Sequence, residues 1–195
     1  RGVRTRIAGG TSWTFSDAMW SGDGKQILYS SQEKGHSDLY TRNADGSGKQ
    51  EEVLVDELDK VVYDWSADGR YLLFWQMGSG RGTPDLWVYD MQEKTSSELI
   101  AGNPGYFDGR FSPDADYVVY ATTESSPNQI FAQARVGGAR WQVSTNGGES
   151  PHWRRDGKEI VYLDPERRLM SVSVEHGPNG LKLGAPRELF ELDGV

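Results

Sequence analysis

Residues 20–29 read Trp-Ser-Gly-Asp-Gly-Lys-Gln-Ile-Leu-Tyr, and this phrase returns three times along the chain. Residues 65–74 read Trp-Ser-Ala-Asp-Gly-Arg-Tyr-Leu-Leu-Phe, residues 111–114 read Phe-Ser-Pro-Asp, and residues 153–162 read Trp-Arg-Arg-Asp-Gly-Lys-Glu-Ile-Val-Tyr. The opening aromatic residues recur at an interval of about 42–46 residues. A period of this size indicates repeated supersecondary units, each of which buries its apolar face only against its neighbours.

Each repeat contains four short segments with the character of β-strands. The Asp-Gly pair after the aromatic anchor predicts a two-residue hairpin turn, because both residues tolerate positive φ. An apolar strand follows, then a polar loop, a third strand such as 38–40, and a fourth such as 52–55 or 188–190. Four antiparallel strands joined by short turns are typical of one propeller blade. A β-sandwich is the competing all-β fold, but it gives no reason for a constant interval.

We therefore expect an all-β chain in which four-stranded antiparallel blades form a β-propeller. The four recognisable repeats are predicted at the following ranges: about 11–55, 56–100, 101–145 and 146–192. Residues 4–10 resemble the fourth strand at 98–102 and are predicted to be the last strand of a preceding blade. That extra outer strand favours the interpretation that the chain is part of a larger propeller. Open blade edges would favour self-association, unless the four blades close on themselves.

Composition excludes several classes of function. The chain has 195 residues, a formal net charge of −8 and no cysteine. Phosphate-backbone binding needs clustered Lys and Arg, so a nucleic-acid partner is not expected. Without cysteine, disulfides, thiolate metal sites and cysteine nucleophiles are excluded. Since no apolar run approaches the length of a bilayer span, we expect no direct membrane insertion.

The residues that repeat are expected to be structural. The aromatic anchors are predicted to pack between blades, and the aspartates of the same phrases to accept hydrogen bonds from backbone N–H groups two residues on. These positions are Trp20, Asp23, Trp65, Asp68, Phe111, Asp114, Trp153 and Asp156. The three histidines show no metal-ligand spacing, and the stretch 43–46 is a hairpin turn rather than a calcium loop. We expect no metal, no cofactor and no catalytic residue.

A binding site is expected on the face formed by the polar loops and by the connections between blades. Aromatic residues outside the repeated phrase are better binding candidates than the anchors. The residues predicted for this face are His36, Arg81, Tyr106, Phe107, Glu149 and His152.

The four phrases resemble the PD40, or WD40-like, propeller repeat of the TolB family. Residues 39–48, Leu-Tyr-Thr-Arg-Asn-Ala-Asp-Gly-Ser-Gly, are similar to the second half of that repeat, whereas Ala115 replaces its usual glycine. The resemblance covers nearly the whole chain and implies one TolB-like propeller over 1–195. Residues 141–162 also resemble a phrase of bacterial proteins in which such a propeller follows a serine/threonine kinase or a winged-helix DNA-binding domain. That resemblance implies a sensing or protein-binding module, commonly on the periplasmic or extracellular side.

Three functional hypotheses follow from these observations. The first is a non-catalytic recognition or scaffold module that binds a protein, a peptide or a small ligand on the loop face. The second is the substrate-gating propeller of a serine peptidase of the prolyl-oligopeptidase or tricorn type, because similar repeats occur there. The third is the sensor domain of a kinase or transcriptional regulator. A lyase-type propeller with an axial metal is disfavoured by the lack of convergent histidines.

Overall fold

The computed structural model describes residues 18–77, 84–101 and 105–192, in which every regular element is a β-strand. The strands form four antiparallel sheets, each lying within one of the four predicted repeats, and the all-β prediction is confirmed. The strand predicted at 4–10 lies outside the described residues. The chain divides into two compact units, Arg1–Glu98 and Leu99–Val195.

The first two sheets belong to the first unit, except for the last two residues of the second sheet. Sheet one consists of β1 (Met19–Trp20), β2 (Gln26–Ser31), β3 (Asp38–Asn43) and β4 (Glu51–Leu54), in that order. Each strand pairs with the next in sequence, as a meander requires.

Sheet two repeats the same order one period later. It consists of β5 (Lys60–Trp65), β6 (Tyr71–Met77), β7 (Pro84–Asp90) and β8 (Thr95–Ile100). Alternate residues of its strands point to opposite faces. Side chains from one face of sheet two pack with Leu28 and Leu39 of sheet one, and this contact forms the apolar core of the first unit.

The third sheet opens the second unit. It consists of β9 (Tyr106–Phe111), β10 (Tyr117–Thr122), β11 (Gln129–Ala134) and β12 (Arg140–Gln142). The alternation along β10 places Val119 and Ala121 on the face that packs against the fourth sheet.

The fourth sheet departs from the simple meander. It contains β13 (Glu149–Trp153), β14 (Glu159–Leu163), β15 (Arg168–Gly177), β16 (Gly180–Leu183) and β17 (Arg187–Glu191). The beginning of β15 pairs with β17 and its end pairs with β16, so the fourth-strand position is divided between two short strands. The sequence predicted the strand at 188–190, but it did not predict β16 or the hairpin that precedes it.

The recurring Ser and Asp of the repeats build one turn device. Asp68 Oδ1 accepts the Arg70 N–H at 3.0 Å, and the Ser66 hydroxyl donates to the same oxygen at 2.6 Å. The Ser66 oxygen also accepts the Tyr71 N–H at 2.8 Å. Equivalent bonds to backbone N–H groups two residues on are made by Asp23, Asp114 and Asp156. All four aspartates thus bond the backbone of their own turn.

The turn itself is longer than the predicted two-residue hairpin. Gly69 N–H donates to Ser66 O at 2.8 Å, and Gly69 has a φ of 76°. Only the glycine, and not the aspartate before it, adopts the left-handed conformation. At the position where Ala115 replaces glycine, the alanine takes the same conformation with a φ of 59°. Ala115 therefore keeps the geometry of the turn, although the left-handed conformation is unfavourable for alanine.

Three of the four aromatic anchors lie in or against an apolar core. Trp65 and Phe111 are buried, and Trp153 packs against the core of the second unit. Trp20 differs, because 61% of it is exposed. The expectation that it packs between blades is therefore not met among the described residues.

Candidate functional site

A cleft of about 380 Å³ opens among the loops of the second unit. It lies where the β10–β11 loop, the β12–β13 connection and the β14–β15 turn come together. Its lining residues are Ser126, Pro127, Asn128, Gly148, Glu149, Asp164, Pro165 and Arg167. A volume of this size lies at the lower end of the range for small-molecule sites.

Two glycines allow the walls of the cleft to approach each other. A Cβ on Gly147 would lie 2.7 Å from Pro127 Cγ and 2.9 Å from Pro165 Cγ. A Cβ on Gly148 would lie 2.7 Å from both the Ile130 and the Tyr162 side chains. The residues 147–148 are therefore wedged between two prolines and the apolar core, and any side chain there would displace one wall.

The β14–β15 turn is fixed by a buried carboxylate. The side chain of Asp164 is only 4% exposed, and Arg168 donates to its Oδ2 from Nε at 2.7 Å and from a terminal nitrogen at 2.5 Å. Its other oxygen accepts the backbone N–H groups of Glu166 and Arg168. Burial alone would raise the pKa of Asp164, but these hydrogen bonds outweigh it and lower the pKa below its usual value. Asp164 is therefore an ionised structural group.

The inner strands of the second unit carry matched irregularities. Asp108 on β9 and Ser150 on β13 have φ values of 54° and 52°, and each stands where the pairing register shifts. The Ser150 N–H donates to Asp108 Oδ2 at 3.2 Å, which joins the two strands. Non-glycine residues at positive φ are uncommon, and bulges of this kind redirect neighbouring side chains. Here the bulge on β13 lies between Glu149 and His152.

Ser150, Asp108 and His152 lie together but do not form a catalytic arrangement. The Ser150 hydroxyl is 3.4 Å from Asp108 Oδ2, and His152 Nδ1 lies 3.1 Å from the Ser150 backbone carbonyl. An activated serine needs its hydroxyl on the imidazole, with the acid on the other ring nitrogen. The contact of His152 instead fixes the orientation of an exposed ring.

The six residues predicted for the binding face separate into distinct environments. Glu149 and His152 are exposed on β13, and Phe107 is half-buried on β9 against the core of the second unit. Tyr106 is only 5% exposed and packs edge-on to Tyr120, with ring centroids 5.7 Å apart.

Tyr106 and Phe107 were predicted on a connection, but both are part of β9. The ring of Tyr106 is a core group, because the inner strand begins earlier than the repeated phrase suggests. His36 belongs to the first unit, where its Nδ1 is 3.9 Å from Asp59 Oδ1. Arg81 lies outside the described residues.

The loops of the first unit hold a buried ion-pair network. Lys60 is fully buried, and its Nζ lies 2.5 Å from Asp56 Oδ1 and 3.3 Å from Asp38 Oδ1. It also donates to the Leu58 carbonyl at 2.6 Å. With these partners the ammonium group is well satisfied, so the network fastens β5 to the start of β3 and to the β4–β5 connection and is structural in character.

The sequence indicated the polar loops in general as a binding face, but among the cleft residues it named only Glu149. Glu149 was predicted from its place beside an inner strand, but Ser126, Asn128 and Arg167 stand in loops of ordinary polar composition. The Ser126-Pro127 and Asp164-Pro165 steps were the available cue, since proline marks loop positions. Their meeting in one cleft depends on packing between two blades, which local sequence does not describe.

Within residues 18–77, 84–101 and 105–192, no three His, Asp or Glu side chains are grouped closely enough to hold a metal ion. Those same ranges contain no helix long and apolar enough to cross a membrane.

Comparison with known proteins identifies the class of fold. Neither the protein-family models nor the curated proteins gave a match. Solved structures do match: a putative TolB from Agrobacterium tumefaciens aligns with a TM-score of 0.70 and 20% identity, over 91% of this chain and 65% of that protein. TolB from Acinetobacter baumannii gives a TM-score of 0.66 and 18% identity, over 90% of this chain and 43% of that protein.

A third similar structure is a prolyl endopeptidase studied for inter-domain dynamics in catalysis and specificity. It aligns with a TM-score of 0.59 and 17% identity, over 87% of this chain and 29% of that protein. The chain thus spans between about a third and two thirds of the solved structures that it matches. At this identity the likeness concerns the fold, and the fold is a TolB-like β-propeller built from four-stranded blades.

Proposed function

We propose that the chain is a non-catalytic recognition module, which binds a peptide, a protein segment or a small ligand in the cleft of its second unit. The observation that carries the proposal is the construction of this cleft. Three loops meet over a glycine floor, and the backbone on both sides is fixed by internal hydrogen bonds. A site that is already ordered loses little conformational freedom on binding, which favours recognition.

The proposal is tested by filling the cleft without disturbing its floor. Ser126 is an exposed residue of the lining, so Ser126→Trp places a large ring in the opening. Val136→Trp is the matched control, because Val136 is 74% exposed in the β11–β12 turn and does not line the cleft. Peptides selected from a random display library on the unmodified chain should lose at least about tenfold in affinity to Ser126→Trp and keep it with Val136→Trp. Equal affinity for both variants would refute the proposed site.

The absence of catalysis is a part of this proposal. It is supported by the contact of His152 with a carbonyl rather than with a hydroxyl. The expected result is no hydrolysis of nitrophenyl esters or peptide anilides above the rate in buffer. Ester hydrolysis that disappears in a His152→Ala variant would contradict it.

A second candidate function is the gating propeller of a serine peptidase. The likeness to the prolyl endopeptidase, and a further likeness to a puromycin hydrolase mutant complexed with PGG, favours it. A gate controls passage without retaining the peptide, whereas a recognition module binds it saturably. Binding of fluorescent peptides of increasing length therefore distinguishes the two. A sensor role beside a kinase or regulator domain rests on the resemblance of residues 141–162 alone.

Self-association through a blade edge is a separate proposal. Among the described residues, β17 pairs only with β15, and Phe190 on it is 53% exposed beside Leu189. An apolar edge strand is a template for pairing with another chain. Light scattering should show a mass that rises with concentration and falls back with Phe190→Lys. A mass that is independent of concentration would rule this out.

A further inference from the structure

The cleft of the second unit presents one free negative and one free positive charge. Glu149 lines it from the start of β13, and Arg167 lines it from the β14–β15 turn. Neither side chain forms an ion pair or hydrogen bond with any of the described residues, whereas the neighbouring Asp164 is fully committed to Arg168. The two charged groups also do not neutralise each other, since no salt bridge joins them.

Both charged residues are held by backbone that is already fixed. Arg167 has a φ of 62°, and its N–H donates to Asp164 O at 2.9 Å. Glu149 directly precedes Ser150, whose left-handed backbone is bonded to Asp108. Strained backbone is maintained only where the surroundings determine it, and such positions cluster at binding sites. The Glu149 and Arg167 backbones therefore need little reordering when a ligand enters.

The rest of the lining is suited to a small and partly polar molecule. Pro127 and Pro165 supply rigid apolar walls, and Ser126 and Asn128 supply polar groups at the opening. Both prolines and both charged side chains are exposed, so the charged groups are open to a ligand that arrives from solvent and can form charge-assisted hydrogen bonds with it. A cleft of about 380 Å³ accommodates a ligand the size of a few amino-acid residues, but not a folded protein.

We infer that the cleft binds a small zwitterion of the amino-acid or short-peptide class. In this inference Arg167 receives the carboxylate, because a guanidinium offers paired donors that match it, and Glu149 receives the ammonium group. The inference rests on the proposed function and adds the chemical class of the ligand. Arg168 pairs with Asp164 and Glu166 in the same turn, which leaves Arg167 and Glu149 available to a ligand.

The test uses alanyl-alanine as the probe and isothermal titration or ligand-observed NMR as the measurement. Its N-acetylated form lacks the ammonium group, and its amide lacks the carboxylate. Each capped form should bind about tenfold more weakly or worse, since a hydrogen bond between charged groups contributes that much. Glu149→Gln should remove the discrimination against the acetylated form, and Arg167→Gln the discrimination against the amide.

Matched control variants are available on the same sheet. Arg155→Gln and Glu175→Gln change exposed residues that do not line the cleft, and both should bind the probe as the unmodified chain does. Equal binding of the free and capped dipeptides, or no binding at millimolar concentration, overturns the zwitterion inference. The Ser126→Trp experiment is independent of it, since peptides selected from a library reveal a cleft that takes other ligands. The two failures are thereby distinguished.

Discussion

Replacing Ser66 by alanine tests the turn device that recurs along the chain. Ser66 is almost fully buried, and its oxygen both donates to Asp68 and accepts from the Tyr71 N–H. Alanine leaves the partly buried Tyr71 N–H without this acceptor, which costs about 1–3 kcal/mol. Asp68 also loses the hydrogen bond from Ser66, but it keeps its bond from Arg70 N–H and its access to water. The loss of the Ser66–Asp68 bond therefore adds only about 0.5–1 kcal/mol.

The free energy of unfolding should therefore fall by about 1.5–4 kcal/mol in Ser66→Ala, equivalent to a decrease of about 3–16 °C in Tm for a chain of this size. Urea titration followed by tryptophan fluorescence measures the change, because Trp65 lies next to the turn and donates to Gly69 O at 3.0 Å. Ser97→Ala is the control: Ser97 is exposed on β8 and should change stability by less than about 0.5 kcal/mol. A decrease for Ser66→Ala no larger than that of the control would refute the reasoning.

Further predictions concern the second unit. Gly180→Ala should destabilise the protein by at least about 2 kcal/mol, because Gly180 has a φ of 100° and its Cβ would lie 2.3 Å from Trp141 Cζ2. Gly177→Ala, whose Cβ meets nothing closer than 3.6 Å, should cost much less in the same denaturant titration. Hydrogen bonds from the Arg154 guanidinium lower the pKa of Asp156 from 3.8 to about 2. The stability that this carboxylate contributes is thus complete above pH 4 and is lost as the pH falls through about 2. Asp156→Asn should therefore make the free energy of unfolding depend less steeply on pH in this acid range. An unchanged slope would contradict this prediction.

The parts of the fold that could be predicted from the sequence are those that depend on local chemistry. An Asp two residues before a backbone N–H in a tight turn forms its hydrogen bond whatever surrounds it, and all four aspartates do so. The fourth repeat forms the same turn, but a different side chain bonds its aspartate. Arg154 stands where the others have serine, and its guanidinium bonds Asp156 from Nε at 2.8 Å. The repeated turns, and with them the four-stranded blades, could therefore be predicted from the sequence.

The predictions that failed concern features set by how strands and loops pack on one another, which a local pattern does not show. Tyr106 has the appearance of a loop aromatic, but its ring meets Tyr120 on the next strand and is buried. The β16 strand was missed because its apolar residues, Leu181 and Leu183, are few, although the Asn179-Gly180 pair before them is a turn signal. The cleft likewise consists of loops from two sheets. Which loop residues face each other is decided by sheet packing and not by spacing.

The divided pairing of β15 has a consequence for the dynamics of the second unit. Residues 169–173 lie between β14 and the strands on their other side, whereas 174–177 are paired mainly with β16 alone. A two-stranded hairpin is only marginally stable by itself. Its backbone amides are therefore expected to exchange with deuterium through local opening, long before those at the other end of the same strand. One continuous strand would then report two separate opening free energies, and the smaller one would depend on the burial of Val174 and Leu181 and on the contact of Trp141 with Gly180.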